Sequence, residues 1–225
     1  MVYKYASERK SRCRCDLFAG TCADINCPQR LSSKETENYW AEGWALSKYS
    51  AWSFERTKIG SIIHNIKYQT SGYSEFQRKS DADFIKNEII KMIKWLYIET
   101  DLPFDICVSP MSHINKPLDL ARHICLGISC GAIKYLQDSI SEKLPLGSMK
   151  NIPKHERCIK TVGNYTFNCS DKDIPKKGVL IVDDVFDTGC TIKGISRAIS
   201  DKFPDVSIFV ITAAYIGKMG RISAV

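Results

Sequence analysis

The sequence lacks a long hydrophobic run, and none of its apolar stretches approaches the ~20 residues that a membrane-spanning helix requires. The first residues, MVYKYASERK, are polar and lack the hydrophobic core of a signal peptide. We therefore expect a cytoplasmic protein. The chain also lacks the G-x-x-x-x-G-K-[ST] pattern, which excludes a Walker-type nucleotide loop.

The basic residues are not concentrated in one block, although the net charge is +7. Runs of about five or six like charges, which are typical of interaction tails, do not occur. A spread basic charge fits a solvated surface, but it also fits an anionic partner such as a phosphorylated small molecule or nucleic acid. Composition alone leaves these alternatives open.

Cysteine is abundant, and part of it is clustered. Four of the ten cysteines fall within residues 13–27 as C-x-C-x6-C-x4-C, on a segment with too few large apolar residues for its own core. Four thiolates suit tetrahedral Zn²⁺, which would supply the missing stabilisation. We predict a zinc-binding segment over residues 1–34 and a second unit over 35–225. The predicted zinc ligands are Cys13, Cys15, Cys22 and Cys27.

The C-x-C spacing is tighter than the C-x-x-C of most structural zinc sites, so a ligand from outside the cluster stays open. The remaining cysteines are scattered singly, and we expect them to behave as small apolar residues in a reducing compartment. They are Cys107, Cys125, Cys130, Cys158, Cys169 and Cys190.

Hydrophobic periodicity predicts an α/β protein. Helices are predicted over residues 35–49, 54–68, 81–98, 117–128 and 191–203, strands over 105–109, 132–136, 164–168, 179–182 and 206–213, and a long loop over 144–155. The strand over 179–182 has no polar residue, which places it centrally in a parallel sheet with helices outside. In such sheets ligands bind at the carboxyl ends of the strands.

One stretch, VLIVDDVFDTGCTI over residues 179–192, carries the chemistry. Asp183 and Asp184 follow the buried strand and should point to opposite sides. Alone, they would suit a metal, an acid–base pair or the hydroxyls of a sugar. The following residues, 187–191, combine a glycine, two threonine hydroxyls and the amides of a helix N-terminus, which together form a phosphate cradle. Acids beside such a cradle indicate a ribose 5-phosphate site.

This stretch resembles the phosphoribosyl pyrophosphate (PRPP) motif of type I phosphoribosyltransferases, D-D-x-x-x-T-G-x-T. The wider layout resembles the ComF-like (competence protein F) branch, which has an N-terminal cysteine zinc ribbon, a segment ending in Lys-Tyr, here Lys67-Tyr68, and a proline-containing strand end, here Ser109-Pro110-Met111. Residues 115–120, NKPLDL, stand where the family usually has R-G-F-N-Q. The chain is thus similar to a divergent member.

The resemblance implies a type I phosphoribosyltransferase fold with a central, mainly parallel sheet. It implies PRPP or a ribonucleotide as ligand, with Mg²⁺ bridging pyrophosphate and ribose oxygens. Asp183 and Asp184 would contact the ribose hydroxyls, and Asp187 would lie near the anomeric carbon. The resemblance places the 5-phosphate on Thr188, Gly189, Cys190 and Thr191, and the pyrophosphate on Ser109, Pro110 and Met111.

Two functions follow from the resemblance. One is a phosphoribosyltransferase that moves phosphoribosyl between pyrophosphate and a nucleobase-like acceptor. The other is a non-catalytic accessory protein in DNA uptake, DNA processing or a related multi-protein system, with protein partners and DNA. Further positive charge at the site would come from basic residues that the sequence does not rank, namely Lys67, Lys116, Lys150 and Arg157.

Overall fold

The computed structural model describes residues 29–31, 39–50, 55–68, 72–97, 101–111, 118–129, 132–144 and 153–216. The clustered cysteines of residues 13–27 lie outside these ranges, so the zinc segment stays a prediction. In the described part, the elements follow in the order β1 (Gln29–Arg30), β2 (Glu42–Lys48), α1 (Lys58–Lys67), α2 (Glu75–Leu96), β3 (Ile106–Val108), α3 (Leu120–Ile128), β4 (Lys134–Tyr135), β5 (Ile140–Glu142), α4 (Lys154–Thr161), β6 (Tyr165–Phe167), a 3₁₀ turn (Asp171–Asp173), β7 (Gly178–Phe186), α5 (Cys190–Lys202) and β8 (Ser207–Tyr215).

The central sheet has six strands in the order β1-β2-β8-β7-β3-β4. Every neighbouring pair is parallel except β1 with β2, which is antiparallel. The predicted strand over 179–182 is β7, and it lies in the interior of the sheet as expected. The predicted parallel α/β sheet is therefore confirmed. Its parallel strands end at one edge, and this edge is where ligands bind in such folds.

Helices cover both faces of the sheet. Successive apolar residues of β7 therefore pack into two different hydrophobic clusters, one on each face. Leu180 and Val182 pack in the cluster that contains residues of α1, α2 and α3. Val179 and Ile181 pack in the other cluster, with Ile192, Ile195 and Ile199 of α5 and with a two-stranded antiparallel sheet of β5 and β6. A strand buried on both faces can carry apolar residues at every position, which explains its uninterrupted pattern.

The predicted helix over residues 35–49 is wrong, because residues 42–48 form β2. Trp40, Trp44 and Tyr49 recur at steps typical of a helix, but residues 44–46 also alternate between two faces, as in a strand. Trp44 and Leu46 face the α1–α3 cluster, whereas Ala45 faces the opposite cluster. Pairing with β8 selects the strand, since Glu42 to Lys48 run parallel to residues 209–215.

The predicted loop over residues 144–155 is also wrong at its end, because α4 begins at Lys154. Pro153 precedes the first turn, a position where its missing N–H costs nothing. The helix α2 begins at Glu75, six residues before the predicted start at residue 81. Ser74 and Gln77 form a capping box there, with the Ser74 hydroxyl accepting a hydrogen bond from the Gln77 N–H.

Asp105 fixes the start of the strand pair that leads to the site. Its carboxylate accepts hydrogen bonds from the backbone N–H groups of Lys176, Lys177 and Gly178, at 2.9, 3.2 and 3.3 Å. Burial raises the pKa of Asp105, but these backbone hydrogen bonds outweigh it and hold the pKa below the ordinary value. The carboxylate therefore contributes stability above the ordinary Asp pKa, and this contribution is lost as pH falls through the lowered value.

We expect Asp105→Ala to lower the free energy of unfolding by about 1–2 kcal/mol, because it removes charge-assisted hydrogen bonds that solvent partly screens. Urea denaturation at pH 7 measures this loss. Asp101→Ala, at an exposed position nearby, serves as the control and should change stability little. The difference between wild type and Asp105→Ala should shrink as pH falls below about 3.8. Equal stability of the two variants at pH 7 would contradict the expectation.

Candidate functional site

The two adjacent acids lie within β7 rather than after it, because the strand continues to Phe186. Asp184 shares the face of Val182 and the α1–α3 cluster, and only 9% of it is exposed. The Asp183 carboxylate accepts a hydrogen bond from the Asp184 N–H at 2.7 Å. The negative charges of both acids act on Lys67.

Lys67, the last residue of α1, neutralises Asp184. Its Nζ lies 2.7 Å from Asp184 Oδ1, and the two side chains are 20% and 13% exposed. Burial lowers the pKa of Lys67, but the charge and hydrogen bond of Asp184, followed by the charge of Asp183, raise it above the ordinary value. A lysine at the C-terminus of a helix is also favoured by the helix dipole. The pair therefore fixes the end of α1 at the site.

Residues 187–191, which comprise the turn after β7 and the first two residues of α5, are named the Thr-Gly loop. Gly189 adopts the left-handed region with φ 74° and directly precedes Cys190, the first residue of α5. A Cβ at this position would lie 2.7 Å from the ring of Phe186. Only glycine therefore fits both the backbone angle and the space. The loop brings its N–H groups to the N-terminus of a helix, which favours anions.

Arg157 of α4 approaches the same loop from the side. Its Nη1 donates to Asp187 Oδ2 at 3.0 Å, and the two side chains are 15% and 29% exposed. Four basic residues were predicted, without a ranking, to add positive charge at the site. The structure brings two of them, Arg157 and Lys67, to the acids. The other two, Lys116 and Lys150, lie outside the described residues.

The side chains of Cys158 and Cys190 form a disulfide between α4 and the first residue of α5. The expectation that both are separate small apolar thiols is therefore wrong. The two cysteines are 32 residues apart in the chain, so no local pattern indicated the bond, which arises because α4 packs beside α5. In the described part of the chain, Cys107, Cys125 and Cys169 are free thiols, in agreement with the same expectation.

A cavity of about 270 Å³ opens at the carboxyl edge of the sheet. It lies over the ends of β2, β8 and β7, since Tyr49 and Ile216 follow the first two of these strands. The predicted residues that line it are Asp183, Asp187, Thr188, Gly189, Cys190 and Thr191. The other lining residues are Tyr49, Lys67, Tyr68, Arg157, Val185, Phe186, Ile192 and Ile216. Asp184 does not line the cavity itself but holds Lys67, which does.

The predicted pyrophosphate residues lie at the end of β3, beside β7, and do not line this cavity. The Ser109 hydroxyl hydrogen-bonds the Tyr135 hydroxyl at 2.9 Å, and Met111 is 46% exposed. Burial raises the pKa of Tyr135 to about 12, so this phenol stays protonated at neutral pH. The structure thus brings Ser109-Pro110-Met111 to the same edge of the sheet, but not to the same cavity.

Tyr165 of β6 is a buried neighbour of the site that the sequence did not indicate. Burial raises its pKa well above the ordinary range, the nearby charge of Glu142 raises it further, and a hydrogen bond with Thr191 acts in the opposite direction. The negative charge of Asp183 also raises it. Tyr165 therefore stays neutral beside Thr191. A tyrosine in a short strand carries no local signal for such a role.

No protein-family model matches the chain, and no curated protein matches it in sequence. Among solved structures, the chain is similar to Helicobacter pylori xanthine-guanine-hypoxanthine phosphoribosyltransferase, at 10% identity and a TM-score of 0.34. The alignment covers 66% of this chain and 87% of that chain. A likeness at this TM-score does not establish a shared activity.

Proposed function

We propose that the cavity binds PRPP or a ribonucleotide and that the protein transfers phosphoribosyl between pyrophosphate and a nucleobase-like acceptor. One observation carries the proposal. An acid of β7, Asp183, and the whole Thr-Gly loop line a single cavity at the carboxyl edge of a parallel sheet. Carboxylates suit sugar hydroxyls, whereas the amides and hydroxyls of a helix N-terminus suit a phosphate.

The 5-phosphate would lie on the Thr-Gly loop. The N–H groups at the start of α5 and the hydroxyls of Thr188 and Thr191 are donors for phosphate oxygens. The Arg157 guanidinium lines the same cavity and adds one positive charge there.

The ribose would lie beside Asp183, and the reacting carbon beside Asp187. In the transfer, the bond between the anomeric carbon and a pyrophosphate oxygen breaks, and a bond to a ring nitrogen of the acceptor forms. Positive charge develops on the ribose between these events, and carboxylates held at fixed positions stabilise it. Lys67 holds Asp184 in place and keeps cationic charge at the cavity wall.

In the described part of the chain, no group of three or more His, Cys, Asp or Glu side chains is arranged to hold a metal ion. The proposed ligand brings its own oxygen atoms, and Mg²⁺ in phosphate sites is commonly held by one or two carboxylates plus the phosphates. Asp183 and Asp187, which both line the cavity, fit that requirement. Bound Mg²⁺ would neutralise the leaving pyrophosphate.

A specific observation favours a second function, binding without transfer. Arg157 pairs with Asp187, the carboxylate proposed to lie nearest the reacting carbon, and so offsets the negative charge that transfer needs. In that case the protein would sense PRPP or a nucleotide. It would then act as a ComF-like accessory protein in DNA uptake or DNA processing, with protein partners and DNA.

Binding is tested by melting the purified chain with and without PRPP and Mg²⁺. Ligand at a hundredfold excess over Kd stabilises a protein by about 2.7 kcal/mol, which is a rise in Tm of about 5–10 °C for a chain of this size. We expect this rise in wild type and in Asp205→Asn, an exposed control. The double variant Asp183→Asn/Asp184→Asn should lose it. No rise in wild type would refute the ligand assignment.

Transfer is tested by incubating Mg²⁺ and PRPP with a panel of nucleobases and measuring pyrophosphate release. Release that depends on one base identifies an enzyme and its acceptor. A rise in Tm without release with any base supports the accessory function instead.

A further inference from the structure

The disulfide between Cys158 and Cys190 joins two elements that meet at the cavity. Cys158 belongs to α4 and follows Arg157, whereas Cys190 follows Gly189 in the Thr-Gly loop. Their Cα atoms lie 4.6 Å apart. We propose that this disulfide is a reversible redox latch, which holds α4 and its Arg157 against the Thr-Gly loop when oxidised and releases them when reduced.

The two cysteines differ in exposure. Cys190 is 1% exposed, whereas Cys158 is partly exposed. An incoming thiolate therefore attacks the Cys158 sulfur, and the electron pair of the broken S–S bond goes to the Cys190 sulfur. That sulfur lies at the N-terminus of α5, where the helix dipole stabilises a thiolate and makes it a good leaving group.

Two low-molecular-weight thiols reduce the disulfide by thiol–disulfide exchange. The first thiol forms a mixed disulfide with Cys158, and Cys190 takes up a proton. A second thiolate attacks the sulfur of the first thiol, which releases Cys158 as a thiol and leaves one external disulfide. Closure uses a peroxide: one cysteine thiolate takes an oxygen atom to become a sulfenic acid with loss of water or alcohol, and the other cysteine displaces water to form the S–S bond.

The first turns of α4 depend on the disulfide for their position. The helix has eight residues, which is too short for stability on its own. Its apolar residue Ile159 is 78% exposed, so this side chain does not anchor it. Its C-terminal residue Thr161 lies close to Gly194 of α5, where an added Cβ would be 2.7 Å from the Thr161 carbonyl oxygen. Its first turns are held to the Thr-Gly loop by the disulfide and by the Arg157–Asp187 ion pair.

Reduction should therefore loosen the first turns of α4 and the position of Arg157. The effect on ligand binding rests on the function proposed above, since there Arg157 supplies charge to the 5-phosphate. A cation that must be ordered at each binding event contributes less to affinity than one held in place. We expect the oxidised protein to bind ribose 5-phosphate about tenfold more tightly than the reduced protein.

The test uses the full chain, oxidised with hydrogen peroxide or reduced with dithiothreitol. Mass spectrometry of a non-reduced digest should show the Cys158–Cys190 linked peptide, and reduction should remove it. Amide hydrogen exchange in residues 154–161 should become at least about tenfold faster on reduction. Cys158→Ser should exchange fast in both conditions, whereas Cys169→Ser, which changes a free thiol, should respond like wild type.

Absence of the linked peptide after oxidation, or equal exchange rates in both states, would overturn the latch. Calorimetric titration with ribose 5-phosphate separates the two proposals. Equal affinity in both states overturns the link between latch and binding. If neither state binds ribose 5-phosphate or PRPP, the proposed function fails, whereas a change in exchange on reduction still supports the latch.

Discussion

Gly189→Ala is expected to destabilise the protein by about 2–4 kcal/mol and to weaken binding of ribose 5-phosphate at least about tenfold. A residue other than glycine in the left-handed region costs about 1–3 kcal/mol, and overpacking adds a comparable amount. The new Cβ would lie 2.7 Å from the Phe186 ring. Phe186 cannot retreat easily, because its ring packs against Trp40 at 6.2 Å and Tyr215 at 6.0 Å between centroids.

The strain at position 189 is therefore relieved by movement of the Thr-Gly loop, which displaces the amides proposed to hold the phosphate. Urea denaturation measures the stability, and calorimetric titration measures the affinity. Gly72→Ala is the matched control, because Gly72 has a similar φ of 79° but nothing within 4 Å of its added Cβ. It should cost only about 1 kcal/mol and leave binding unchanged. Equal losses in both variants would mean that the loop tolerates a side chain.

The Thr-Gly loop was predictable because its signals are local. The apolar run of β7, the two acids and the Thr-Gly turn are contiguous, so periodicity and turn chemistry identify them together. The same reasoning located α3, β4 and β8, whose boundaries differ from the predicted ones by a few residues. The start of α2 was also readable, since Ser74 and Gln77 form an S-x-x-Q capping signature that the periodicity of the helix obscured.

The contacts that shape the cavity were not predictable, because they join residues far apart in the chain. Lys67 and Asp184 are 117 residues apart, and Arg157 and Asp187 are 30 apart. No local pattern ranks one lysine above another when the partner is set by tertiary packing. The same reason explains β2, which is selected by its pairing with β8 and not by its own aromatic spacing.

Lys67→Met is expected to lower the free energy of unfolding by about 1–3 kcal/mol. Methionine keeps the length and the apolar stem, so the loss reports the charge and its hydrogen bond. The substitution leaves Asp184, which is 9% exposed, without its ammonium partner and beside the negative charge of Asp183. Removing one member of a largely buried ion pair destabilises a protein by more than the intact pair stabilises it. Urea denaturation at pH 7 measures the effect.

The control is Lys91→Met, which breaks the Lys91–Glu88 pair on the surface of α2. That pair has a similar N–O distance, 2.6 Å against 2.7 Å, but the Lys91 side chain is 72% exposed, so its loss should cost only a few tenths of a kcal/mol. Similar losses in both variants would show that burial does not strengthen the site pair.

The pH dependence of stability provides a second test of the Lys67–Asp184 pair. Because Asp184 raises the pKa of Lys67 above its ordinary value, the pair contributes its full stability below the ordinary lysine pKa of about 10.4. That contribution is lost as pH rises through the raised value. The gap in stability between wild type and Lys67→Met should therefore be constant from pH 7 to about 9 and narrow above about 10.5. In Lys67→Met/Asp184→Asn, where the charge of Asp184 is removed together with that of Lys67, much of the loss should be recovered. A double variant as unstable as Lys67→Met alone would show that the loss comes from packing of the Lys67 stem and not from the pair.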